Sequence, residues 1–472
     1  MEFLFDDRWI DRRAGVRRVL GVPSKEPTPV LRAEQPWEAG GIRARQALVY
    51  DRKADKLALW YVASPQADRR PKSQFFCYAE SAGGLTWERP ELGRYNFAGD
   101  RRNNIVGEMG DADGTLSNIV HDPDEPYPAR RYKAIGYDYC ATSAIPGIVP
   151  RTMGLCVSFS SDGFQWTLPK LVMTGQDLTD ADCVLPVRDP DIGTWVGFFR
   201  PRTHPKRRFI GLSTSEDFER WTYPRMLLTP TAEDDEWTEF YGLTAACVEG
   251  WRVGCLWVFH NNPEYSPMTT ELVSSRDGQD YRRAAPRTEF LALGPDGAFD
   301  SRMVIPVAVI ERRDEILLFY EGHNREHGSD RGQEMPPGRT APGEEPRAAL
   351  GLARLPWGHF SGLRADQDGL VETTWLCNYG DAGVRAVAAV DPDGFVLAEL
   401  LDQYGQQIPG WGRDESCASS GDRAMLHFAW GPDGLTGAPG QQSAAGGTVG
   451  HVLKVRFHLR RATLFGFAVG EM

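Results

Sequence analysis

The sequence predicts an all-β protein: a five-bladed β-propeller over residues 1–367, followed by a β-sandwich over residues 368–472. Three observations support this class. A motif of a turn followed by an aromatic residue occurs five times, each repeat contains a strand that begins with polar residues, and the pattern changes near residue 368. The 50 Gly and 33 Pro, with 11% aromatic residues, suit turn-rich β-structure. A hydrophobic content of 41% is enough for a core, and 472 residues favour two domains.

The repeated motif is a Ser-, Asp- or Gly-containing turn that follows a strand and ends in an aromatic residue. Its aromatic residues are Trp87, Trp166, Trp221, Tyr281 and Phe360, which are 79, 55, 60 and 79 residues apart. Such a repeat at roughly blade length is typical of a β-propeller, with the turn and the ring in structural roles. The five copies are 81–87 (SAGGLTW), 160–166 (SSDGFQW), 213–221 (STSEDFERW), 274–281 (SSRDGQDY) and 352–360 (LARLPWGHF).

Each repeat also contains an inner-strand candidate that starts with polar residues and becomes apolar, followed by a second β-rich run. A propeller gathers one inner strand per blade around a central axis. Polar residues at equivalent positions are therefore expected to meet in one pocket. The inner-strand candidates are 37–51, 114–122, 178–187, 239–248 and 299–309, and the second strands are 56–62, 131–137, 194–200, 252–259 and 315–322.

Two further segments depart from this pattern. Residues 323–349 are rich in Gly, Pro and charge and are longer than most connections. We expect either a loop that covers the pocket near the axis or a disordered insertion far from it. Beyond residue 368, alternating strands with an apolar face predict the β-sandwich. These strands are 373–378, 384–390, 395–401, 423–429, 451–459 and 462–469, with a loop at 431–447.

The net charge of the whole chain and the sequence of its first residues argue against several partners. The formal net charge of −12 disfavours nucleic acid and anionic membranes, whose phosphates would be repelled. Residues 1–8 lack the basic and apolar regions of a signal peptide, and no apolar run of about 18 residues predicts a membrane span. The eight cysteines are scattered, so we expect reduced, buried thiols and a cytoplasmic protein. A mature secreted form is the alternative.

Carboxylates stand near the starts of the inner-strand candidates. When several share one partly desolvated pocket, one can stay protonated while another stays ionised, as glycosidic bond cleavage requires. We expect Asp182, Glu239 and Asp300 to be catalytic, and the alternative is that each is a turn residue before a strand. Glu239 is the predicted proton donor because apolar residues surround it in the sequence. Asp182 and Asp300 would then act as nucleophile or base and as stabiliser.

Other polar and aromatic residues are predicted to bind the substrate. Trp37 and Tyr241 could stack on sugar faces, and Asp180 lies on the same strand face as Asp182, so either could be the deeper group. Hydrogen bonds to hydroxyls are expected from the segment 321–324. The predicted substrate-binding residues are Glu38, Trp37, Arg43, Asp180, Tyr241, Arg302, Glu321, His323 and Asn324.

Metal and anion sites receive weaker support. His323 and His327 have the i, i+4 spacing of a metal pair, but the Glu of a His-Glu-x-x-His motif is missing, so no catalytic metal is predicted. A structural Ca²⁺ on the propeller axis is left open, and no cofactor is expected. The basic residues Arg200, Arg202 and His204 either bind phosphate, carboxylate or sulfate, or form a solvated hairpin tip.

Several of these motifs together carry a family resemblance. They are WEAGG at 37–41, LTDAD at 178–182, FDSRMV at 299–304 and LFYEGHN at 318–324. The chain resembles the arabinanase, invertase and levansucrase group of five-bladed propeller glycoside hydrolases, which are family 32- or 43-like. The resemblance covers residues from about 30 to 365, and the C-terminal region resembles the β-sandwich appended to such propellers. It implies three acids: a nucleophile or base on the first blade, a transition-state stabiliser and a general acid.

The sequence therefore predicts a glycoside hydrolase that acts on a fructo- or arabinofuranoside or a related small glycoside. A carbohydrate is the expected partner, and the oligomeric state is not predicted. One alternative is a glycoside phosphorylase, in which Arg200, Arg202 and His204 bind phosphate in place of the nucleophile. Another is a non-catalytic carbohydrate-binding propeller, whose carboxylates are solvated and too far apart to share a bond. Turnover and its dependence on phosphate separate the three.

Overall fold

The computed structural model is all-β, as predicted. Regular structure in the described residues is β-strand apart from 3-10 turns at Pro36–Glu38, Pro128–Arg130 and Arg413–Glu415 and a 3-10 residue at Arg423. No helical segment there is long and apolar enough to cross a membrane. The described residues are 1–44, 46–65, 74–108, 115–140, 152–173, 185–203, 207–329, 339–340, 345, 347–378, 383–421, 423, 425–431 and 451–470.

The chain divides into two compact units. The terminal unit comprises Met1–Val22, Glu311–Ile316 and Leu355–Met472, and the repeat unit comprises Pro23–Ile310 and Leu317–Arg354. The described strands are, in chain order, β1 (Glu2–Phe3), β2 (Ile10–Ala14), β3 (Arg17–Leu20), β4 (Ser24–Lys25), β5 (Ile42–Arg43), β6 (Leu48–Asp51), β7 (Lys56–Ala63), β8 (Phe75–Ser81), β9 (Ile105–Glu108), β10 (Thr115–His121), β11 (Tyr132–Cys140), β12 (Thr152–Ser160), β13 (Lys170–Met173), β14 (Leu185–Asp189), β15 (Thr194–Phe199), β16 (Arg202–Thr203), β17 (Arg207–Arg208), β18 (Ile210–Ser215), β19 (Arg225–Leu228), β20 (Thr238–Val248), β21 (Trp251–His260), β22 (Met268–Ser275), β23 (Arg282–Arg283), β24 (Met303–Arg312), β25 (Glu315–His323), β26 (Ala348–Pro356), β27 (Ser361–Thr373), β28 (Leu376–Asn378), β29 (Gly383–Leu401), β30 (Ser416–Ser420), β31 (Leu426–Trp430) and β32 (His451–Gly470).

The described strands of the repeat unit form successive sheets of five, four, four and eight strands besides the hairpin of β16 and β17, and are grouped here into five repeats, of which the last two share the eight-stranded sheet. Repeat 1 contains β5, β7, β8 and β9, with β6 also on β7; repeat 2 runs from β10 to β13; repeat 3 contains β14, β15, β18 and β19. Repeat 4 contains β20, β21, β22 and β23. Repeat 5 contains β24, β25 and β26, and the N-terminal strand β4 completes it by pairing with β26. A parallel contact between Met268 and Met303 joins repeats 4 and 5.

Apolar cores lie between successive repeats. One core contains residues of repeats 1 and 2, the next joins repeats 2 and 3, and a third joins repeats 3 and 4. Tyr61 and Ile105 of repeat 1 also share a core with Phe319 and Leu352 of repeat 5. The last repeat is therefore a neighbour of the first.

The repeated motif of the sequence forms a recurring turn, which confirms that the turn and its aromatic ring have structural roles. The Ser160 hydroxyl accepts the Gly163 N–H at 2.9 Å, and the Trp166 Nε1–H donates to the Gly163 carbonyl at 3.1 Å. Four of the copies join the third strand of a repeat to its outer strand. The residue three places before the aromatic residue has a positive φ in four copies: Gly84 (82°), Gly163 (75°), Phe218 (66°) and Gly278 (70°). In the fifth copy the positive φ is at Gly358 (75°), two places before Phe360.

The terminal unit is built on one large sheet. Strand β32 lies between β27 and β29 and also pairs with β1 and β28, while β2 and β3 pair with β27. Leu20 of β3 faces Ser361 of β27. Residues 1–22, which the sequence pattern assigned to the propeller, thus pair with C-terminal strands. Local patterning cannot show this, because Arg18 and Ser361 are 343 residues apart and still form a hydrogen bond.

The cysteines differ in part from the expectation. Cys156 is disulfide-bonded, so the prediction of reduced thiols is wrong at this residue. Cys77, Cys247, Cys255 and Cys417 are free thiols, of which Cys417 is exposed. The pairing of Cys156 depends on tertiary proximity, which scattered cysteine spacing does not encode.

Candidate active site

The repeat unit contains a central cavity of about 380 Å³ to which all five repeats contribute. One residue from each is Arg43 (repeat 1), Asn118 (repeat 2), Leu185 (repeat 3), Tyr241 (repeat 4) and Glu321 (repeat 5). The volume lies in the range of small-molecule sites. The first strand of every repeat supplies a lining residue, but the predicted acids Glu38, Glu239 and Asp300 are not among the lining residues.

A hydrogen-bond network joins three repeats at the cavity wall. Gln46 Nε2 donates to Thr244 Oγ1 at 2.5 Å and to the Pro306 carbonyl at 3.2 Å. Thr244 Oγ1 donates to the same carbonyl at 2.8 Å and accepts the Trp257 Nε1–H at 3.2 Å. Repeats 1, 4 and 5 are thereby held together, which fixes this side of the cavity.

Glu321 is one of two glutamates among the described lining residues. It lies on β25, is buried, and its Oε1 is 2.6 Å from His323 Nε2. His323 ends the same strand and also lines the cavity. The contact orients the carboxylate at the cavity wall.

Glu326 is the second lining glutamate, and it is also buried. Its Oε2 accepts hydrogen bonds from the Ser266 N–H at 3.4 Å and the Ser266 hydroxyl at 3.3 Å. Ser266 also fixes the next residues, because its carbonyl accepts the His327 N–H at 3.2 Å and its hydroxyl accepts the Gly328 N–H at 3.1 Å. The backbone that carries Glu326 is thus anchored by the loop between β21 and β22.

Tyr241 connects the cavity wall to His327. Its hydroxyl is 2.9 Å from His327 Nε2, and His327 Nδ1 is 3.0 Å from the Gly328 carbonyl. Because the carbonyl can only accept, the neutral imidazole carries its proton on Nδ1, and Nε2 accepts from Tyr241. The Tyr241 ring stacks with Trp257, and the Arg200 guanidinium lies 3.8 Å from its centroid.

Four predicted substrate-binding residues line the cavity: Arg43, Tyr241, Glu321 and His323. Their roles remain predictions. Asp180 and the catalytic candidate Asp182 lie outside the described residues.

Three other predicted binding residues have structural partners and do not themselves line the cavity. Trp37 is in an apolar core, and its Nε1–H donates to Asn104 at 3.0 Å. Arg302 pairs with Asp296 at 2.9 Å. Asn324 is buried and bonds to the segment at 345–347, through its Nδ2 to the Glu345 carbonyl and its Oδ1 to the Arg347 N–H.

Glu38 is a buried anchor of the first 3-10 turn. Its carboxylate accepts the Tyr61 hydroxyl at 2.5 Å, the Arg89 Nε–H at 2.9 Å and the backbone N–H groups of Glu34 and Gln35. Burial, with the neighbouring Cys77 and carboxylate, raises the pKa of Tyr61. These contacts satisfy the side chain within the wall of repeat 1, away from the cavity lining.

Glu239 is fully buried and does not belong to the cavity lining. Its Oε2 accepts from Arg208 Nη1 at 2.5 Å, and its Oε1 accepts from Asn261 Nδ2 at 3.0 Å. The apolar setting expected from its sequence neighbours is therefore not what surrounds the carboxylate. The Arg208 guanidinium is its counter-charge, and the role of Glu239 as proton donor stays a prediction. Arg208 comes from a neighbouring hairpin, so sequence adjacency could not reveal it.

Asp300 is likewise held in a buried ion pair. Lys25 Nζ donates to its Oδ2 at 2.6 Å, and the Tyr320 hydroxyl donates to the same oxygen at 3.0 Å. Burial lowers the pKa of Lys25 despite the nearby carboxylate, and burial together with Asp300 raises the pKa of Tyr320. Asp300 precedes β24 in a turn and is not a lining residue.

Sequence reasoning missed Glu326, Arg325, Arg347 and Asn118 as lining residues and weighed His327 only as a metal ligand. All except Asn118 lie in the segment 323–349, whose break in the repeat pattern was the available signal. Their position supports a loop at the cavity over an insertion far from it. Residues 330–338, 341–344 and 346 of this segment lie outside the described residues.

The predicted basic cluster forms a hairpin. Strands β16 and β17 pair Arg202 with Arg208. Arg200 is buried against Tyr241, as described above. The Arg202 side chain and His204 lie outside what the structure describes, so their phosphate-binding role stays a prediction.

Metal binding receives no positive support. Among the described residues, no group of three or more His, Cys, Asp or Glu side chains could hold a metal ion.

No family model and no curated protein matches the sequence. Similar solved structures include an N-acetylgalactosamine deacetylase from F. plautii (12% identity, 73% of this chain and 97% of that chain, TM-score 0.45). They also include a fructofuranosidase from Schwanniomyces occidentalis (12% identity, 93% of this chain and 97% of that chain, TM-score 0.42). A third is a β-1,2-mannobiose phosphorylase from Listeria innocua (11% identity, 71% of this chain and 96% of that chain, TM-score 0.44). Their names state three different activities, so the function of this chain has to come from its own residues.

Proposed function

We propose that this chain is a glycoside hydrolase that cleaves a furanoside or a related small glycoside in the central cavity. The observation that carries the proposal is that Glu321 and Glu326 line one cavity to which all five repeats contribute. Glycoside hydrolysis requires two carboxyl groups that flank the scissile bond. The stacked rings of Tyr241 and Trp257, which also line the cavity, offer apolar faces for a sugar.

The proposed fold is a five-bladed β-propeller with an appended β-sandwich. The order of the sheets, the completion of repeat 5 by β4, and the core shared by repeats 1 and 5 support the propeller. In the terminal unit, register shifts interrupt the pairing of the long strands β29 and β32, and such bulges let one strand serve two packed sheets.

The two glutamates receive different roles in the proposal. Glu326 is buried at the cavity and forms no ion pair with the residues that the structure describes, and we assign it as the acid that protonates the departing glycosidic oxygen. Glu321 faces His323 and would either attack the anomeric carbon or remove a proton from the attacking water. Carboxyl groups about 5–5.5 Å apart favour the covalent route, and about 6.5–9.5 Å the direct one. Asp182 stays a predicted third acid.

A second candidate function is glycoside phosphorolysis. Arg43, Arg325 and Arg347 line the same cavity, and guanidinium groups bind phosphate well. In that reaction phosphate, and not water, would attack the anomeric carbon.

Turnover of a panel of aryl furanosides and pyranosides, with and without phosphate, tests these proposals. We expect phosphate-independent release that falls by about 10²–10⁴ in Glu326→Gln and Glu321→Gln. Glu88→Gln is the matched control, because Glu88 is exposed and does not line the cavity. Release only with phosphate would identify a phosphorylase. Saturable sugar binding without any turnover would contradict both the hydrolase and the phosphorylase proposals and favour a carbohydrate-binding module.

A further inference from the structure

We propose that the central cavity contains an oxyanion subsite, formed by Arg347 together with Arg43 and Arg325. Its ligand would be the carboxylate of an acidic sugar or inorganic phosphate, which share the same recognition chemistry. The inference rests on the proposed function, since it names the charge class of a ligand in that same site.

The charge of the lining is the first observation. Its described residues include three arginines and two histidines against two glutamates, although the whole chain carries a formal net charge of −12. One of the two carboxylates, Glu321, already contacts His323. A cavity that concentrates guanidinium groups within an acidic protein favours an anionic ligand over a neutral one.

Arg347 is held in place by its backbone. Its N–H donates to Asn324 Oδ1 at 2.7 Å, and its carbonyl accepts the Asn324 N–H at 3.3 Å. The side chain is exposed at the cavity, and its guanidinium forms no ion pair with the residues that the structure describes. The residue therefore combines a fixed backbone with a charged group that is available to a ligand.

Asn118 provides an independent observation. It lies on β10 in the cavity lining, is 3% exposed, and its Nδ2 has no hydrogen-bond partner in the described part of the chain. Buried amide donors are nearly always satisfied in folded proteins. An acceptor oxygen of a ligand in the cavity would supply the missing partner, and the ionised oxygens of an oxyanion accept stronger hydrogen bonds than the hydroxyls of a neutral sugar.

Titration calorimetry of the full chain at constant ionic strength tests the subsite. The probes are inorganic phosphate, glucuronate and neutral glucose, with Arg347→Gln as the variant and Arg101→Gln as the control. Arg101 is exposed and lies outside the lining. We expect at least one anion to bind, with affinity at least tenfold weaker in Arg347→Gln and unchanged in Arg101→Gln. Glucose binding should be the same in all three proteins.

Binding of phosphate alone identifies free phosphate as the ligand, and binding of glucuronate alone identifies an acidic sugar. The subsite is refuted when neither anion binds or when Arg347→Gln leaves their affinity unchanged. Turnover of neutral aryl glycosides without anion binding would refute the proposed subsite and would agree with the proposed hydrolase activity. Anion binding that depends on Arg347, without turnover of any glycoside, would support the proposed subsite and refute the proposed enzymatic activity.

Discussion

Glu239 and Arg208 form an ion pair that is almost entirely shielded from water, with Oε2 and Nη1 2.5 Å apart. Asn261 satisfies the second carboxylate oxygen. Because both charges are buried, removal of one leaves the other uncompensated, which is costly in a protein interior. The pair gives Glu239 a structural partner, and Glu239 is not among the lining residues, while its predicted role as proton donor stays a prediction.

Neutralising Glu239 should therefore affect stability more than chemistry. We expect Glu239→Gln to lower the free energy of unfolding by about 3 kcal/mol, because Arg208 loses its counter-charge. Turnover per folded molecule should stay within about threefold of wild type. Urea unfolding and turnover measured on the same preparation check this. Unchanged stability with collapsed turnover would show instead that Glu239 acts in the reaction.

Asp300 and Lys25 permit a test of coupling. Asp300→Asn leaves a largely buried ammonium group without its carboxylate, so we expect a loss of about 2 kcal/mol in the free energy of unfolding. Lys25→Met in the Asp300→Asn background should recover part of that loss. Urea unfolding of the two single variants and the double variant gives the coupling energy. Strictly additive effects would mean that the ion pair does not stabilise the fold.

The two cavity glutamates can be told apart by leaving group and by rescue. Glu326→Ala should lose about 10²–10⁴ in rate on substrates with poor leaving groups and less than about tenfold on dinitrophenyl glycosides, which need no proton. Glu321→Ala should lose rate on both classes and regain part of it with added azide. Steady-state kinetics on both substrate classes measure these differences. Equal losses for Glu326→Ala on both classes would contradict its role as the acid.

The sequence predicted features that depend on local contacts. The turn at Ser160, Gly163 and Trp166 closes within a few residues, so its repeated spacing was visible and its structural role is confirmed. The alternation of apolar residues likewise placed the strands. Lys25 and Asp300 are 275 residues apart, and that pairing arises only when the N-terminal strand completes repeat 5. Sequence spacing carries no signal for such a contact.

The candidate site was predicted in part for a related reason. Arg43, Tyr241, Glu321 and His323 lie on strands, where alternation indicates direction, and all four line the cavity. Glu326 follows the end of β25 in a segment without periodicity. Its direction depends on the hydrogen bonds from Ser266, which belongs to another repeat.

The turn glycines allow a test of close packing. Gly163 has φ of 75°, and a Cβ there would lie 2.4 Å from Trp60 Cζ2. We expect Gly163→Ala to lower the free energy of unfolding by about 3 kcal/mol, from left-handed strain and the clash together. Gly193→Ala is the control, because its φ is 68° but a Cβ would meet no atom within 4 Å. It should cost only about 1 kcal/mol, and equal losses in urea unfolding would contradict the packing argument.

His359 should make the terminal unit sensitive to acid. Its ring stacks on Phe465 with centroids 4.3 Å apart, and burial lowers its pKa from 6.5 to about 4. Between these values the unfolded chain binds more protons than the folded one, so stability rises with pH. The contribution is fully present above about pH 6.5 and is lost as the pH falls to about 4.

We expect this contribution to amount to about 2 kcal/mol once partial exposure is allowed for. His359→Phe keeps an aromatic ring against Phe465 and removes the titrating group. Burial also lowers the pKa of His121 and His260, so the measured quantity is the difference between wild type and variant in urea unfolding from pH 4 to pH 7. The variant should lose less stability on acidification. Parallel pH profiles for the two proteins would show that His359 is protonated in the folded state without cost.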